Sequence, residues 1–84
     1  MVDLFLVTRS INSDSDEFVG VFTSPKKAMN CLKEIFNSLK IYKTLATEPV
    51  EMDTIHVYFW TNENHPVRHY YISKLNINKS YAED

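Results

Sequence analysis

Every stretch of this sequence that reads as a β-strand is apolar on both of its faces, yet only one stretch reads as a helix. An antiparallel sheet with one side in water should alternate apolar and polar residues. Here Leu4 and Leu6 point one way while Phe5 and Val7 point the other, and Val19 and Val21 alternate with Phe18 and Phe22 in the same manner. A sheet built from such strands needs a cover on each side. The sequence supplies one.

The boundaries of these elements follow from local chemistry. Val2 to Arg9 is short, apolar and β-rich, and predicts a first strand. Ser10 to Asp16 is a polar turn whose Asn, Ser and Asp side chains bond to nearby backbone, and Glu17 to Thr23 is a second strand closing an antiparallel hairpin. Ser24 and Pro25 then open a helix, the serine as amino-terminal cap and the proline where no amide bond is lost. Ala28, Leu32, Ile35, Phe36 and Leu39 recur at helical spacing, with Met29 and Cys31 at the margins of the stripe. The helix is expected to end near Lys40 to Lys43, where positive charge suits the carboxyl end. Thr44 to Met52, with Glu48, Pro49 and Glu51, reads as a connector. Asp53 to Thr61 and Pro66 to about Asn76 are the third and fourth strands, joined through Asn62, Glu63, Asn64 and His65. The expected fold is α+β: a ββαββ order with one helix on a four-stranded, largely antiparallel sheet.

The second hairpin can be set in register by arithmetic. If Thr61 pairs with Pro66, then Phe59 faces Arg68, Val57 faces Tyr70, and Ile55 faces Ile72, all on one side. The other side carries Trp60 with Val67, Tyr58 with His69, and His56 with Tyr71. The first set suits a core beneath the helix. The second set is rich in aromatic rings and has nothing assigned to cover it. Either the tail from Ile77 to Asp84 or another chain must do so, and eight mostly polar residues are too few for four strands. Monomers rarely expose apolar patches above roughly 300–600 Å². An interface is therefore expected over His56, Tyr58, Trp60, Val67, His69 and Tyr71.

Composition narrows the function classes. Over 84 residues, 44% hydrophobic and 13% aromatic content is globular and large in apolar payload, so 1–84 is expected to be one domain. A net charge of -2 argues against coating nucleic acid by bulk charge. The single cysteine, Cys31, can form no internal disulfide and no Cys-x-x-Cys pair. Asp3 stands where a signal peptide would be basic, the run Leu4 to Val7 stops at Thr8 and Arg9, and no span-length apolar run follows. The chain is expected to be cytoplasmic, with no membrane contact, and the Asn78-Lys79-Ser80 sequon is then without meaning.

Residues that could carry chemistry are few. His56, His65 and His69 with Glu63 resemble a metal set only in composition; His65 and His69 have helical spacing in a turn and strand, so polar positions at an interface are the simpler reading. Cys31 lies in the apolar stripe and reads as a small buried hydrophobe, not a nucleophile. With one glycine there is no phosphate loop, and no serine, histidine and acid converge. No catalytic residue, metal or cofactor is assigned, and the chain is not expected to be an enzyme. Lys26, Lys33 and Lys40 fall seven apart and, with Arg68 and Lys74, are candidate contacts for phosphate or an acidic partner, although exposed lysines on a helix are ordinary. Rings on a sheet also suit stacking on bases, but the aromatic-glycine pattern of RNA-binding sheets and their βαββαβ order are both missing.

The opening Leu4-Phe5-Leu6-Val7-Thr8 and the junction Gly20-Val21-Phe22-Thr23-Ser24-Pro25-Lys26-Lys27-Ala28, with the later Tyr71-Ile72-Ser73-Lys74-Leu75-Asn76, resemble small uncharacterised single-domain proteins of bacteria and their phages. The likeness spans about half the chain, and its motifs are structural: Gly20 in a strand, Ser24 as cap, Ala28 where helix meets sheet. It implies a fold and an origin, with no established activity. Many such phage products bind a host protein, including as inhibitors of bacterial defence. The expectation is thus a non-catalytic binding protein, self-associating (as a dimer) through the aromatic face and directed at an unidentified host protein. The alternative is binding of nucleic acid or a small nucleotide on the aromatic and basic surface.

Overall fold

A computed structural model of the chain describes residues 3–12, 15–61 and 67–76. The elements are β1 (Asp3–Asn12), β2 (Ser15–Phe22), α1 (Pro25–Leu39), β3 (Thr44–Glu51), β4 (Thr54–Trp60) and β5 (Arg68–Asn76). The strands form one five-stranded sheet in the order β2-β1-β5-β4-β3, every neighbouring pair antiparallel. Two units, the β1–β2 hairpin and the β3–β4–β5 meander, are joined where β5 pairs with β1. Among the described residues the fold is α+β, with a single helix on one side of the sheet.

The expected four-strand sheet is corrected to five, and ββαββ to ββαβββ. The stretch from Thr44, read as a connector, forms β3 and pairs with β4 from Thr44↔Trp60 to Glu51↔Thr54. Its composition disguised it. An outer strand pairs on one side only, so it tolerates a proline such as Pro49 and exposed charges such as Glu48 and Glu51. Met52 and Asp53 make the turn into β4.

The helix begins as its cap residues dictate. Ser24 is extended, and its hydroxyl oxygen accepts the Lys27 amide at 3.2 Å. Pro25 occupies the first turn. The helix stops at Leu39, because Lys40 turns into the left-handed region at φ 63°. Lys40 therefore lies past the helix rather than on it, and Lys26 and Lys33 are exposed.

The core lies between α1 and one face of the sheet. Val7, Ala28, Leu32, Val57, Phe59, Tyr70 and Ile72 are buried, and Phe5, Phe22, Ile35, Phe36, Leu39, Tyr42 and Leu45 pack against them. Phe36 meets Phe59 edge-on with ring centres 5.2 Å apart, and Tyr42 and Tyr70 close on the same ring at 5.8 and 5.0 Å. The helix makes its nearest backbone approach to β1 and β2. The far end of the β3–β4 hairpin is left thinly covered, with Met52 and Ile55 exposed beside a cleft of about 140 Å³.

The first hairpin departs from strict alternation. Leu6 pairs with Val21 and Val7 with Gly20, but Thr8 pairs with Phe18, so Val19 is an extra residue in β2. Such a bulge resets the period of the strand. Val21 and Phe18 consequently share the side away from the helix, whereas simple alternation places them on opposite sides. Val19 packs against the core. Among the described residues no helix is long and apolar enough to cross a membrane.

Candidate functional site: the open face of the sheet

The β4–β5 register is the one derived from the sequence: Ile55↔Ile72, His56↔Tyr71, Val57↔Tyr70, Tyr58↔His69 and Phe59↔Arg68. Because side chains alternate, His56, Tyr58, His69 and Tyr71 share the side opposite the buried Val57, Phe59, Tyr70 and Ile72. Trp60, next to the fully buried Phe59, is on that open side and 42% exposed. Val67 is 38% exposed but precedes β5, so it does not extend the ladder opposite Trp60. Residues 62–66, His65 among them, and residues 77–84 lie outside the described residues.

At the centre of this face is a chain of hydrogen bonds. His56 Nδ1 lies 3.1 Å from Glu48 Oε1, and His56 Nε2 lies 2.8 Å from His69 Nδ1. The carboxylate can only accept, so His56 donates to it. The His56 and His69 ring centres are 5.0 Å apart and the planes 18° off parallel. With nitrogens at 2.8 Å, rings that far apart meet end to end in a shared plane rather than face to face. Tyr71 and Tyr58 flank His56 with centres at 4.8 and 4.9 Å and planes within 28°. The His56 side chain is 12% exposed, well buried for a group on an uncovered sheet. Burial, followed by the neighbouring His56, lowers the His69 imidazole below its ordinary 6.5.

Sequence reasoning placed both histidines on one face but missed their contact, which runs diagonally between non-opposite positions. Diagonal neighbours on a sheet are within reach of long side chains. Glu48 falls outside every expected strand, because β3 has the composition of a connector. The β-branched Thr44, Thr47 and Val50 are the available signal for that strand. The histidine geometry is that of a hydrogen bond: two nitrogens aimed at each other at 2.8 Å leave no space for an ion about 2.0 Å from each. Among the described residues no set of three or more His, Cys, Asp or Glu residues could hold a metal.

The candidate basic contacts stand apart from the rings. Arg68 pairs with Phe59 and thus faces the helix side, where its guanidinium lies over the Tyr42 ring and donates to the Tyr70 hydroxyl at 3.4 Å. Lys74 shares β5 with Arg68 and sits opposite Phe5, 3.7 Å from the Asp3 carboxylate. Lys26 and Lys33 belong to the helix, also on that side. The open face instead bears Asp16 opposite Ser10, Glu48 opposite His56 and Glu51 opposite Thr54. Among the described residues no lysine or arginine occupies a ladder position on it. Cys31 is half-buried, and burial with the nearby Glu34 pushes its thiol upward, away from the thiolate a nucleophile needs.

Compared with known proteins, the chain matches no family model, no curated protein and no solved structure.

Proposed function

We propose that the chain is a non-catalytic protein-binding module that self-associates through the open face of its sheet. The observation that carries this reading is the apolar and aromatic character of the side that no described element covers, from Leu4, Leu6 and Val21 across Tyr71 to His56, Tyr58 and Trp60. Magnitude supports a second copy as the cover. Five strands of this length make a face on the order of 550 Å² in plan. That is near the roughly 800 Å² per partner of a stable interface, once the relief of the side chains is added. Tyr and Trp are favoured at such surfaces because a large apolar ring is joined to a polar tip.

The nucleotide alternative needs stacking rings and phosphate contacts on one surface. Arg68 and Lys74 on the helix side, and carboxylates on the open side, favour the protein–protein reading instead. The resemblance at the Gly20–Ala28 junction extends the proposal to a phage-encoded inhibitor of a bacterial defence protein, acting in the host cytoplasm. Light scattering on size-fractionated protein across a concentration series tests the core of it. Mass above 9.9 kDa that rises with concentration is expected. A constant monomer mass at millimolar concentration overturns self-association.

A further inference from the structure

The hydrogen-bond chain on the open face has a fixed capacity for protons. With the Glu48 carboxylate accepting from His56 Nδ1, the neutral pair has one arrangement: His69 Nδ1 donates to His56 Nε2. One added proton is accommodated. It can sit at His69 Nε2, or His56 can become the donor to His69 Nδ1, and both hydrogen bonds survive. A second proton cannot be accommodated, because an N–H would then face an N–H at 2.8 Å, with two positive rings in contact. The rings must part. His56 is held between Tyr58 and Tyr71, so its departure rearranges the aromatic patch.

We propose that Glu48, His56 and His69 form a proton-operated switch, which holds the open face in its binding arrangement only while the imidazole pair carries at most one proton beyond its neutral state. The surroundings contain little to offset the second charge. From β3 the facing groups are Glu48, already engaged, and the exposed Glu51 at the strand's far end opposite Thr54; from β5 it is Tyr71, and from β4 it is Tyr58. From β1 the neighbours are the neutral Thr8 and Ser10, and Asp16 of β2 lies one strand further, opposite Ser10. Linkage of this kind, in which histidines gate an interface, needs a packed element that two protonation states hold differently.

The switch rests on the reading of this face as an interface, but its first readout does not. Imidazole NMR of the full chain is expected to show the pair taking up protons as one coupled unit in two separate steps. Glu48→Gln is expected to move the first step to lower pH, since the charged pair loses its carboxylate. Light scattering over the same series is expected to show dissociation at the second step. A single shared titration overturns the switch, as does wild-type mass unchanged after both rings are charged. A wild type that is monomeric at every pH overturns the self-association reading alone, and the separation of the two steps then decides the switch.

Discussion

Phe59 and Trp60 are adjacent in β4 and end on opposite sides of one sheet, one fully buried and one 42% exposed. The covered side is organised by shape: Phe59 is enclosed by Phe36, Tyr42 and Tyr70, and the helix stripe completes the seal. The open side is organised by polar groups that satisfy one another, from Glu48 through His56 to His69, with tyrosines along the flanks. Both sides use large rings. The difference is that the open side can be covered without stranding the imidazoles, since each has a hydrogen-bond partner within the face. A surface of that kind tolerates being covered and uncovered. A core does not.

The largest expected effect lies on the covered side. Phe59→Ala should cost about 3–5 kcal/mol, comparable with the entire stability of so small a domain, because it removes a ring that three others touch. Loss of a cooperative melt by circular dichroism is the expected result. Trp60→Ala, one residue along, should leave the melt nearly unchanged yet weaken self-association by about 2 kcal/mol, or roughly 30-fold. Analytical ultracentrifugation measures the second quantity. If Trp60→Ala unfolds the chain as Phe59→Ala does, the distinction between the two sides is broken.

The contrast between the sides also explains what the sequence could and could not disclose. The β4–β5 register was legible because strand periodicity is two and the buried and open sets differ in kind: Val57 and Ile72 against His56 and Tyr71. The helix was legible through Ser24, Pro25 and the stripe from Ala28 to Leu39. The bulge at Val19 was not, since Phe18 to Phe22 is apolar at almost every position and a shift of one leaves no trace in the pattern. β3 was hidden because Leu45 alone packs inward while Glu48, Pro49 and Glu51 resemble loop residues. With β3 hidden, the partner of His56 was hidden too. The side of Arg68, in contrast, was already implied by its place opposite Phe59. Grouping it with the rings overlooked that register.

A smaller effect checks that the covered side depends on its helix. Ser24→Ala removes the oxygen that accepts the Lys27 amide and should cost about 1 kcal/mol, read as a fall in denaturant midpoint without a change in slope. Self-association measured well below that midpoint should be untouched, because the cap lies on the side away from His56 and Trp60. A loss of association as large as that of Trp60→Ala would mean that the two sides are not separable.

The smallest expected effect is one that acid exerts on the open side. His69 is held below 6.5 in the folded chain by burial and by His56, whereas the unfolded chain has neither influence. The unfolded state therefore binds the proton more readily, and stability rises with pH in this interval. The contribution is complete above the unfolded value near 6.5 and is lost as pH falls through the lower folded value. Association would mask this by favouring the folded state, so the measurement belongs in the Trp60→Ala background. Its melting temperature should decline as pH is lowered from 7.5 toward 5, before most carboxylates begin to titrate. Adding His69→Gln should reduce that decline, because the residue that resists protonation is gone, while any contribution from the other histidines remains. A melting temperature that declines equally with and without His69 would show that acid acts elsewhere, and that the imidazole pair does not set the acid response of the open side.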